Sequence, residues 1–150
     1  MNTTKGSPHG TNKETARNLL DVRIILAVLW VAGMLSSLNG DTYRLHDPDE
    51  LKALLANTGP IIVTPELLLV MSIIFVVPIF MSVLTLMLKY PLSRLANRIV
   101  GTLYALIIIG FWVLGLVLRS PGYQIVWATA QLVFALLVVW YAWKWPKQEA

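Results

Sequence analysis

The feature that most constrains this chain is an uncharged apolar run that begins at Leu67 and ends at Leu88. Its 22 positions contain no Asp, Glu, Lys, Arg or His. The hydrocarbon core of a bilayer needs about 20 helical residues to cross it, so the run is long enough to span a membrane. A basic segment follows directly, with Lys89, Arg94 and Arg98. The sequence therefore predicts an integral membrane protein in which this span ends at a positively charged boundary.

Composition supports a membrane location for the chain as a whole. Of the 150 residues, 57% are hydrophobic and 13% are charged, whereas soluble domains carry roughly 25% charged residues. The net charge of +4 does not indicate nucleic-acid binding, because the basic residues lie in short clusters at the ends of apolar runs. The chain contains no cysteine, which excludes disulfides, thiolate metal ligands and cysteine nucleophiles.

Four apolar runs predict four spans, at about 22–38, 66–88, 99–118 and 123–143. The fold class is therefore an all-α membrane protein, a four-span antiparallel helix bundle. Residues 1–18 are polar and predict a disordered cytoplasmic tail, residues 19–146 form the membrane domain, and residues 147–150 form a cytoplasmic C-terminal end. The first run also has the charge order of a signal peptide, but it lacks an A-x-A cleavage pattern, so we expect a retained helix.

The one sizeable predicted loop, 39–64, contains the signals of a short amphipathic helix. Asp47 is suited to cap its start, Pro48 to occupy the first helical position, and Glu50 follows three residues after the cap. The sequence 57–60, Asn-Thr-Gly-Pro, then ends the helix. We expect this helix to lie on the membrane surface or over the mouth of the bundle.

The distribution of Lys and Arg predicts the orientation of the bundle. Nine of the twelve lie in the tail with Arg23, after the second span and at the C-terminus, and three lie in the long loop and the last turn. Cytoplasmic segments carry the excess of basic residues. Both termini are therefore expected in the cytoplasm, in a multi-pass protein of the cell membrane.

Two segments of the chain resemble a known family. They read LKYPLSRLANRIVG at 88–101 and WYAWKW at 140–145, and they accompany the Asp-Pro pair of the long loop and Pro78 within the second span. Together they resemble a family of small bacterial four-helix membrane proteins that is catalogued as a domain of unknown function. The resemblance covers roughly Leu19 to Trp145. It implies a four-span protein of the bacterial inner membrane and brings no catalytic or binding residue.

Four residues within the spans are candidates for the bundle interior or for a kink: Trp30, Pro78, Tyr104 and Gln131. Gln131 and Trp30 lie at comparable depth, so a hydrogen bond from the Trp30 N–H to the Gln131 oxygen is predicted. The alternative for Gln131 is to line a ligand cavity. Pro78 removes one backbone hydrogen bond and predicts a kink in the second span, either a static bend or a hinge.

The long loop holds a polar candidate site formed by His46, Asp47, Asp49 and Glu50. One histidine among carboxylates that serve as helix caps is a weak set of metal ligands. We therefore expect a solvated, capped loop, with no metal site and no cofactor. A membrane enzyme, if the chain were one, would have to place its site here.

Between their charged flanks the spans carry no Asp, Glu, Lys, Arg or His. Proton-coupled carriers and intramembrane hydrolases generally need such a group. We therefore expect a non-enzymatic protein, either an accessory subunit of a client membrane protein or a binder of a lipid or small apolar molecule. Membrane lipid is the expected partner, beside a client protein or a second copy of the chain, and no nucleic acid. The alternative is a small dimeric transporter of hydrophobic compounds, similar in size to the four-span multidrug carriers but without their embedded carboxylate.

Overall fold

The computed structural model describes residues 8–59 and 61–145, with side chains from Val22 onward. These residues form five helices: α1 (Pro8–His46), α2 (Pro48–Ala56), α3 (Pro65–Met87), α4 (Tyr90–Val117) and α5 (Gly122–Lys144). Four segments are long and apolar enough to cross a membrane, namely Val22–His46, Pro65–Met87, Tyr90–Val117 and Gly122–Lys144. The predicted all-α fold, with four spans and a short helix between the first two, is confirmed.

The first helix extends beyond its predicted span at both ends. The prediction places residues 39–46 in a loop, whereas α1 continues without interruption to His46. Polar residues in this extension remain helical because their side chains bond back to the preceding turn: the Thr42 hydroxyl donates to the Leu38 carbonyl at 2.8 Å. At its other end α1 begins at Pro8, within the segment 1–18 predicted as a tail. Residues 1–7, 60 and 146–150 lie outside the described residues, and so does the predicted C-terminal end 147–150.

Capping residues set the boundaries of α2 and α3 as the sequence predicts. The Asp47 side chain accepts hydrogen bonds from the backbone N–H groups of Asp49 and Glu50 at the start of α2. That helix ends at Asn57, whose backbone has the left-handed conformation typical of a C-cap, with φ of 51°. Thr64 caps α3 with its side-chain oxygen. Local sequence signals therefore position both helices.

The fourth helix begins well before its predicted start near residue 99, at Tyr90. Pro91 lies in its first turn, where the missing N–H of proline has no helical partner to lose. Ser93 and Asn97 follow four residues apart and are both 0% exposed. The basic segment between the predicted second and third spans is therefore largely the first part of α4, and one face of it is buried in the bundle.

The four long helices form a ring in the order α3, α1, α5, α4. The helix α5 packs against α1 and α4, and α1 packs against α3. The helices α3 and α4 are joined by the short link 88–89, yet they contact each other least of the neighbouring long pairs. Short α2 packs on α1. The seam between α3 and α4 is therefore the weakest side of the ring.

Glycines allow α1 and α5 to approach closely. A Cβ atom added at Gly33 would lie 3.6 Å from the Cβ of Phe134, and one added at Gly40 would lie 3.2 Å from the Cβ of Trp127. The two glycines are seven residues apart, and so are Trp127 and Phe134. The later glycine of α1 faces the earlier aromatic residue of α5, as expected for an antiparallel pair. Small residues at such positions favour tight packing of membrane helices.

The two ends of the bundle differ in charge and in packing. The basic end carries Arg23, Lys89, Arg94, Arg98 and Lys144. The opposite end, called the α2 end, carries all the acidic residues from 22 to 145, namely Asp41, Asp47, Asp49, Glu50 and Glu66. The buried apolar core lies largely toward the basic end and includes Leu26, Trp30, Met81, Val138, Ala142 and Trp145.

Candidate functional site

A cavity of about 510 Å³ lies between the helices in the half of the bundle nearest the α2 end. All five helices contribute to its lining, together with Ile61 and Val63 of the α2–α3 link. Pockets that hold small molecules typically measure about 300–1,000 Å³. The cavity is therefore large enough to hold one, and it is the strongest candidate for a functional site.

The side of the cavity formed by α3 and α4 is apolar. Met71 and Phe75 line it from α3, and Phe111 and Leu114 line it from α4. Leu68 and Leu114 line the cavity and are also 56% and 40% exposed at the molecular surface. These two side chains therefore belong both to the cavity wall and to the outer surface, where a bilayer would present its lipid chains.

Gln131 is the lining residue of α5 that lies furthest toward the basic end. Its Nε2 donates to the Tyr104 hydroxyl at 3.2 Å, and the Tyr104 ring meets the Trp30 ring edge-on with 5.3 Å between centroids. Oε1, the other polar atom of the Gln131 amide, has no partner among the described residues. The floor of the cavity thus offers a hydrogen-bond acceptor to a ligand that carries a hydroxyl or an amine.

The predicted hydrogen bond between Trp30 and Gln131 is not formed, so that prediction is wrong. The Nε1 of Trp30 instead donates to the Oδ1 of Asn97 at 2.9 Å. The physical reason is the early start of α4, which places Asn97 inside the bundle at the depth of Trp30. Trp30, Tyr104 and Gln131 are nonetheless all buried, at 2%, 5% and 8% exposed.

Asn97 lies at the centre of a buried polar network that joins α1, α3 and α4. Its Nδ2 donates to the Thr85 hydroxyl and to the Ser93 carbonyl, each at 2.9 Å. The Ser93 hydroxyl donates to the Thr85 carbonyl at 2.9 Å, and the Thr85 hydroxyl donates to the Met81 carbonyl at 2.6 Å. Because every one of these polar side chains has a partner, the network stabilises the arrangement of the three helices.

Ser93 and Asn97 were not predicted as interior residues, because they lie between the predicted second and third spans. A signal was present: Ser93, Asn97 and Gly101 recur every four residues, which places them on one face of a helix. All three are buried, and a Cβ atom added at Gly101 would lie 3.1 Å from Cγ1 of Val138. A stripe of small and polar residues at this spacing is typical of a membrane helix interface.

Charged side chains gather where the cavity opens toward the α2 end. Asp41, Arg44 and Glu50 line it, and the Arg44 Nε donates to the Glu50 Oε2 at 2.8 Å. This ion pair connects α1 to α2, and Leu54 of α2 lines the cavity nearby. The short helix therefore lies at the mouth of the bundle, which is one of the two locations predicted for it.

Asp47 connects α2 to the start of α5. Its Oδ1 caps α2, and its Oδ2 accepts a hydrogen bond from the Tyr123 hydroxyl at 3.0 Å. The hydrogen bond from Tyr123, followed by those from the backbone of Asp49 and Glu50, lowers the pKa of the Asp47 carboxyl from its ordinary value. These donors favour the charged carboxylate, so the cap and the contact with α5 depend on one ionised group.

The four candidate residues of the long loop have separate roles. His46 Nδ1 donates to the Thr42 carbonyl of its own helix at 2.8 Å. Asp47 caps α2, Glu50 pairs with an arginine of α1, and Asp49 is exposed in the first turn of α2. Within residues 8–59 and 61–145, no group of three or more His, Cys, Asp or Glu is placed to hold a metal ion.

Pro78 lies within α3 and is fully buried. The helix continues across it from Pro65 to Met87. Because proline has no N–H, the carbonyl of Ile74 receives no helical hydrogen bond from this position. Phe75, three residues earlier, lines the cavity. Pro78 is thus placed next to the cavity wall, and hinge motion at this point stays a prediction.

Together these features define a class of protein, an α-helical chain with four candidate membrane spans and a cavity between them. More particularly, the chain belongs to the family of unknown function DUF6326, whose model matches residues 18–150. No curated protein and no solved structure matches the chain. The predicted resemblance to a family of unknown function is confirmed, and a bacterial origin stays a prediction. The family has no known function, so membership assigns no activity, ligand or site residue to the chain, and the cavity is the feature that bears on function.

Proposed function

We propose that the protein binds a small amphipathic, lipid-like molecule in the cavity near the α2 end. The observation that carries this proposal is the cavity itself, with its volume of about 510 Å³ and its asymmetric lining. The side formed by α3 and α4 is apolar, while the floor at Gln131 and the mouth at Asp41, Arg44 and Glu50 are polar. Largely apolar pockets with a few placed polar groups are typical of small-molecule sites.

The lining favours a ligand with an apolar body and a polar group that donates hydrogen bonds. Met71, Phe75 and Phe111 offer an apolar surface to the body. The Oε1 of Gln131 accepts from a hydroxyl or amine at the floor. Ser36 already donates its hydroxyl to the Ala32 carbonyl at 3.0 Å, so it too offers an acceptor. A fragment of a bilayer lipid, a long-chain alcohol or an amphipathic amine has this chemistry.

The orientation proposed places the basic end in the cytoplasm of a bacterial inner membrane and the α2 end outside. Nine of the twelve Lys and Arg residues belong to segments on the proposed cytoplasmic side, and this excess supports the orientation. Two aromatic–basic pairs at the basic end also support it: the Lys144 Nζ lies 3.8 Å from the ring centroid of Trp140, and the Arg98 Cζ lies 5.2 Å from that of Trp143. Such pairs are typical of a membrane boundary. The cavity then opens into the outer leaflet.

We propose binding rather than catalysis because the charged groups at the mouth hold the fold together. Arg44 pairs with Glu50, and Asp47 is held by α2 and Tyr123. A binder of this kind serves either alone or as an accessory subunit that passes its ligand to a client membrane protein.

The proposal is tested by filling the cavity and analysing what the purified protein retains. Ala128 lines the cavity from α5, so Ala128→Phe places a ring where the ligand would lie. Val126 is on the same helix near the same end but is 65% exposed on the outer surface, so Val126→Phe is the matched control. Each protein is purified from membranes in mild detergent, and bound molecules are identified by native mass spectrometry and by extraction.

We expect the unaltered chain and Val126→Phe to carry the same small amphipathic molecule, and Ala128→Phe to have lost it. Gln131→Leu should weaken retention by about ten-fold while the fold persists, because one buried hydrogen bond to the ligand is removed. An identical set of retained molecules in Ala128→Phe and Val126→Phe would contradict the proposal.

A further inference from the structure

Four buried hydrogen-bonding atoms have no partner among the described residues: the Nε of Arg23, the hydroxyl of Tyr90, the Nε of Arg94 and the Nε1 of Trp145. Buried polar groups in proteins are nearly always bonded, so each exception calls for an explanation. All four lie at the basic end of the bundle. The cavity described above lies toward the other end, and its binding function does not account for them.

Contacts bring these four residues into one region. The rings of Tyr90 and Trp145 meet edge-on with 5.6 Å between their centroids. Arg94 follows Tyr90 by four residues, on the same face of α4. A terminal guanidinium nitrogen of Arg23 donates to the Leu88 carbonyl in the α3–α4 link. The Arg23 turn of α1, the start of α4 and the end of α5 therefore meet here.

Arg23, Arg98 and Lys144, at the same end of the bundle, differ from Arg94 in having partners. The Nε and NH2 of Arg98 donate to the carbonyls of Ala142 and Trp143, each at 2.9 Å. Lys144 lies over the ring of Trp140. Arg94 is half-buried and makes no hydrogen bond with a described residue, and the acidic residues from 22 to 145 all lie at the α2 end.

We infer that the basic end binds the phosphate group of an anionic phospholipid between Arg94, Tyr90, Trp145 and Arg23. The side-chain N–H groups of arginine and tryptophan only donate, so their missing partner is an acceptor. Two arginines and two further donors match an anion with several oxygens, as a phosphate has. Trp145 is only 1% exposed, so its donor is part of a built site rather than of a loose basic surface.

Lipid is the source of this phosphate because of where the donors lie. They are at the same end as the aromatic–basic pairs of Trp140 and Trp143, which mark the level of lipid headgroups. Basic pockets between membrane helices on the cytoplasmic side are known to hold anionic headgroups. The edge-to-face pair of Tyr90 and Trp145 offers apolar ring surface to the glycerol and upper acyl region next to the phosphate.

The test compares three probes on the full-length protein in a non-ionic detergent: phosphatidylglycerol, phosphatidylcholine and inorganic phosphate. Native mass spectrometry measures bound lipid, and thermal unfolding measures the stabilisation by each probe. Arg94→Gln removes the unpaired cation, and Lys144→Gln removes a cation from the same end as the matched control. We expect phosphatidylglycerol to bind and stabilise, with about ten-fold weaker binding in Arg94→Gln and less than about three-fold weaker binding in Lys144→Gln.

One conservative variant guards against a simple folding defect. Tyr90→Phe keeps the aromatic ring and removes one orphaned hydroxyl. Without lipid it should not lower the unfolding temperature, because the hydroxyl removed has no partner among the described residues. With phosphatidylglycerol it should lose part of the stabilisation. Equal losses in Arg94→Gln and Lys144→Gln, equal stabilisation by phosphatidylcholine, or full competition by inorganic phosphate would overturn the assignment to an anionic lipid.

Discussion

The inward face of α5 passes through two different environments. Toward the α2 end, Gln124, Ala128 and Gln131 line the cavity, whereas toward the basic end Ala135, Val138 and Ala142 are buried in the core. These six positions alternate steps of four and three residues, so they lie on one face of the helix. The difference therefore comes from what the other helices place opposite that face.

In the basic half, the neighbouring helices close on α5 through large rings and hydrogen bonds. Trp30 and Tyr104 fill the centre, and the network around Asn97 joins α1, α3 and α4. In the α2 half, residues of α3 and α4 line the cavity instead. Lipid tails are as apolar as the side chains, so apolar surface alone does not hold membrane helices together. In the basic half the Asn97 network joins α3 to α4, whereas among the described residues no side-chain hydrogen bond joins these two helices beside the cavity.

The largest effect on this contrast is expected from Asn97→Leu. The change leaves the N–H of Trp30 and the hydroxyl of Thr85 without the Asn97 side chain and should destabilise the bundle by about 2 kcal/mol. Unfolding in mixed micelles with increasing SDS measures it. Asn39→Leu is the control, because Asn39 is exposed and bonds only to the Leu35 carbonyl of its own helix. A loss of equal size in both variants would show that the network does not close the basic half.

A second difference is expected between two glycines of α4. A Cβ atom at Gly101 would lie 3.1 Å from Cγ1 of Val138, a core side chain 1% exposed that has little room to move. Gly101→Ala should therefore destabilise by about 1 kcal/mol. At Gly110 nothing lies within 4 Å of an added Cβ, so Gly110→Ala should be neutral or stabilise by about 0.5 kcal/mol through helix propensity. The same unfolding assay measures both, and a reversed order would place the tight interface elsewhere.

Acidification should loosen the α2 end before the basic end. The pKa of Asp47 is lowered in the folded protein, chiefly by the Tyr123 hydroxyl. The ionised Asp47 therefore stabilises the α2 end at pH values above the ordinary Asp pKa, and this stabilisation is lost as the pH falls through the lowered pKa. A spin label at Ala56→Cys should report greater mobility of α2 over that range. In Tyr123→Phe the pKa returns toward its ordinary value, so the loosening should begin at a higher pH. An unchanged midpoint would rule out Tyr123 as its main cause.

The smallest effect is expected for the ion pair at the mouth. Arg44 and Glu50 have side chains 39% and 26% exposed, so Glu50→Gln should change stability by less than about 0.5 kcal/mol. Lys52→Gln, at an exposed position of the same helix, is the control. The ion pair should matter more for the cavity than for the fold, and Glu50→Gln should release bound ligand faster than Lys52→Gln. Identical release rates would mean that α2 does not restrict the mouth.

Local signals in the sequence were enough to predict the spans and α2. An apolar run long enough for a bilayer defines a span whatever its neighbours are. The caps Asp47, Asn57 and Thr64 act within a few residues of their own position, so they too are visible in the sequence. Trp30, Tyr104 and Gln131 were candidates for the bundle interior, but depth in a span does not separate an interior face from a lipid-facing one, and their burial is seen only in the structure.

Features that depend on contacts between helices were not predicted. Hydropathy marks where lipid begins rather than where a helix ends, so it missed the extension of α1 to His46 and the early start of α4. Asn97 is polar in sequence but buried, because Trp30 and Thr85 satisfy it from two other helices. The cavity depends on how the five helices are arranged around it, which no local pattern records.

The central claim, an open half and a closed half along one face of α5, is tested most directly by cysteine accessibility. The chain has no cysteine, and Ala128 and Ala135 lie seven residues apart on that face. Ala128 lines the cavity, whereas Ala135 is 5% exposed in the core. With a small methanethiosulfonate reagent on native membranes, we expect Ala128→Cys to react much faster than Ala135→Cys. Equally slow reaction at both positions would contradict the presence of an accessible cavity.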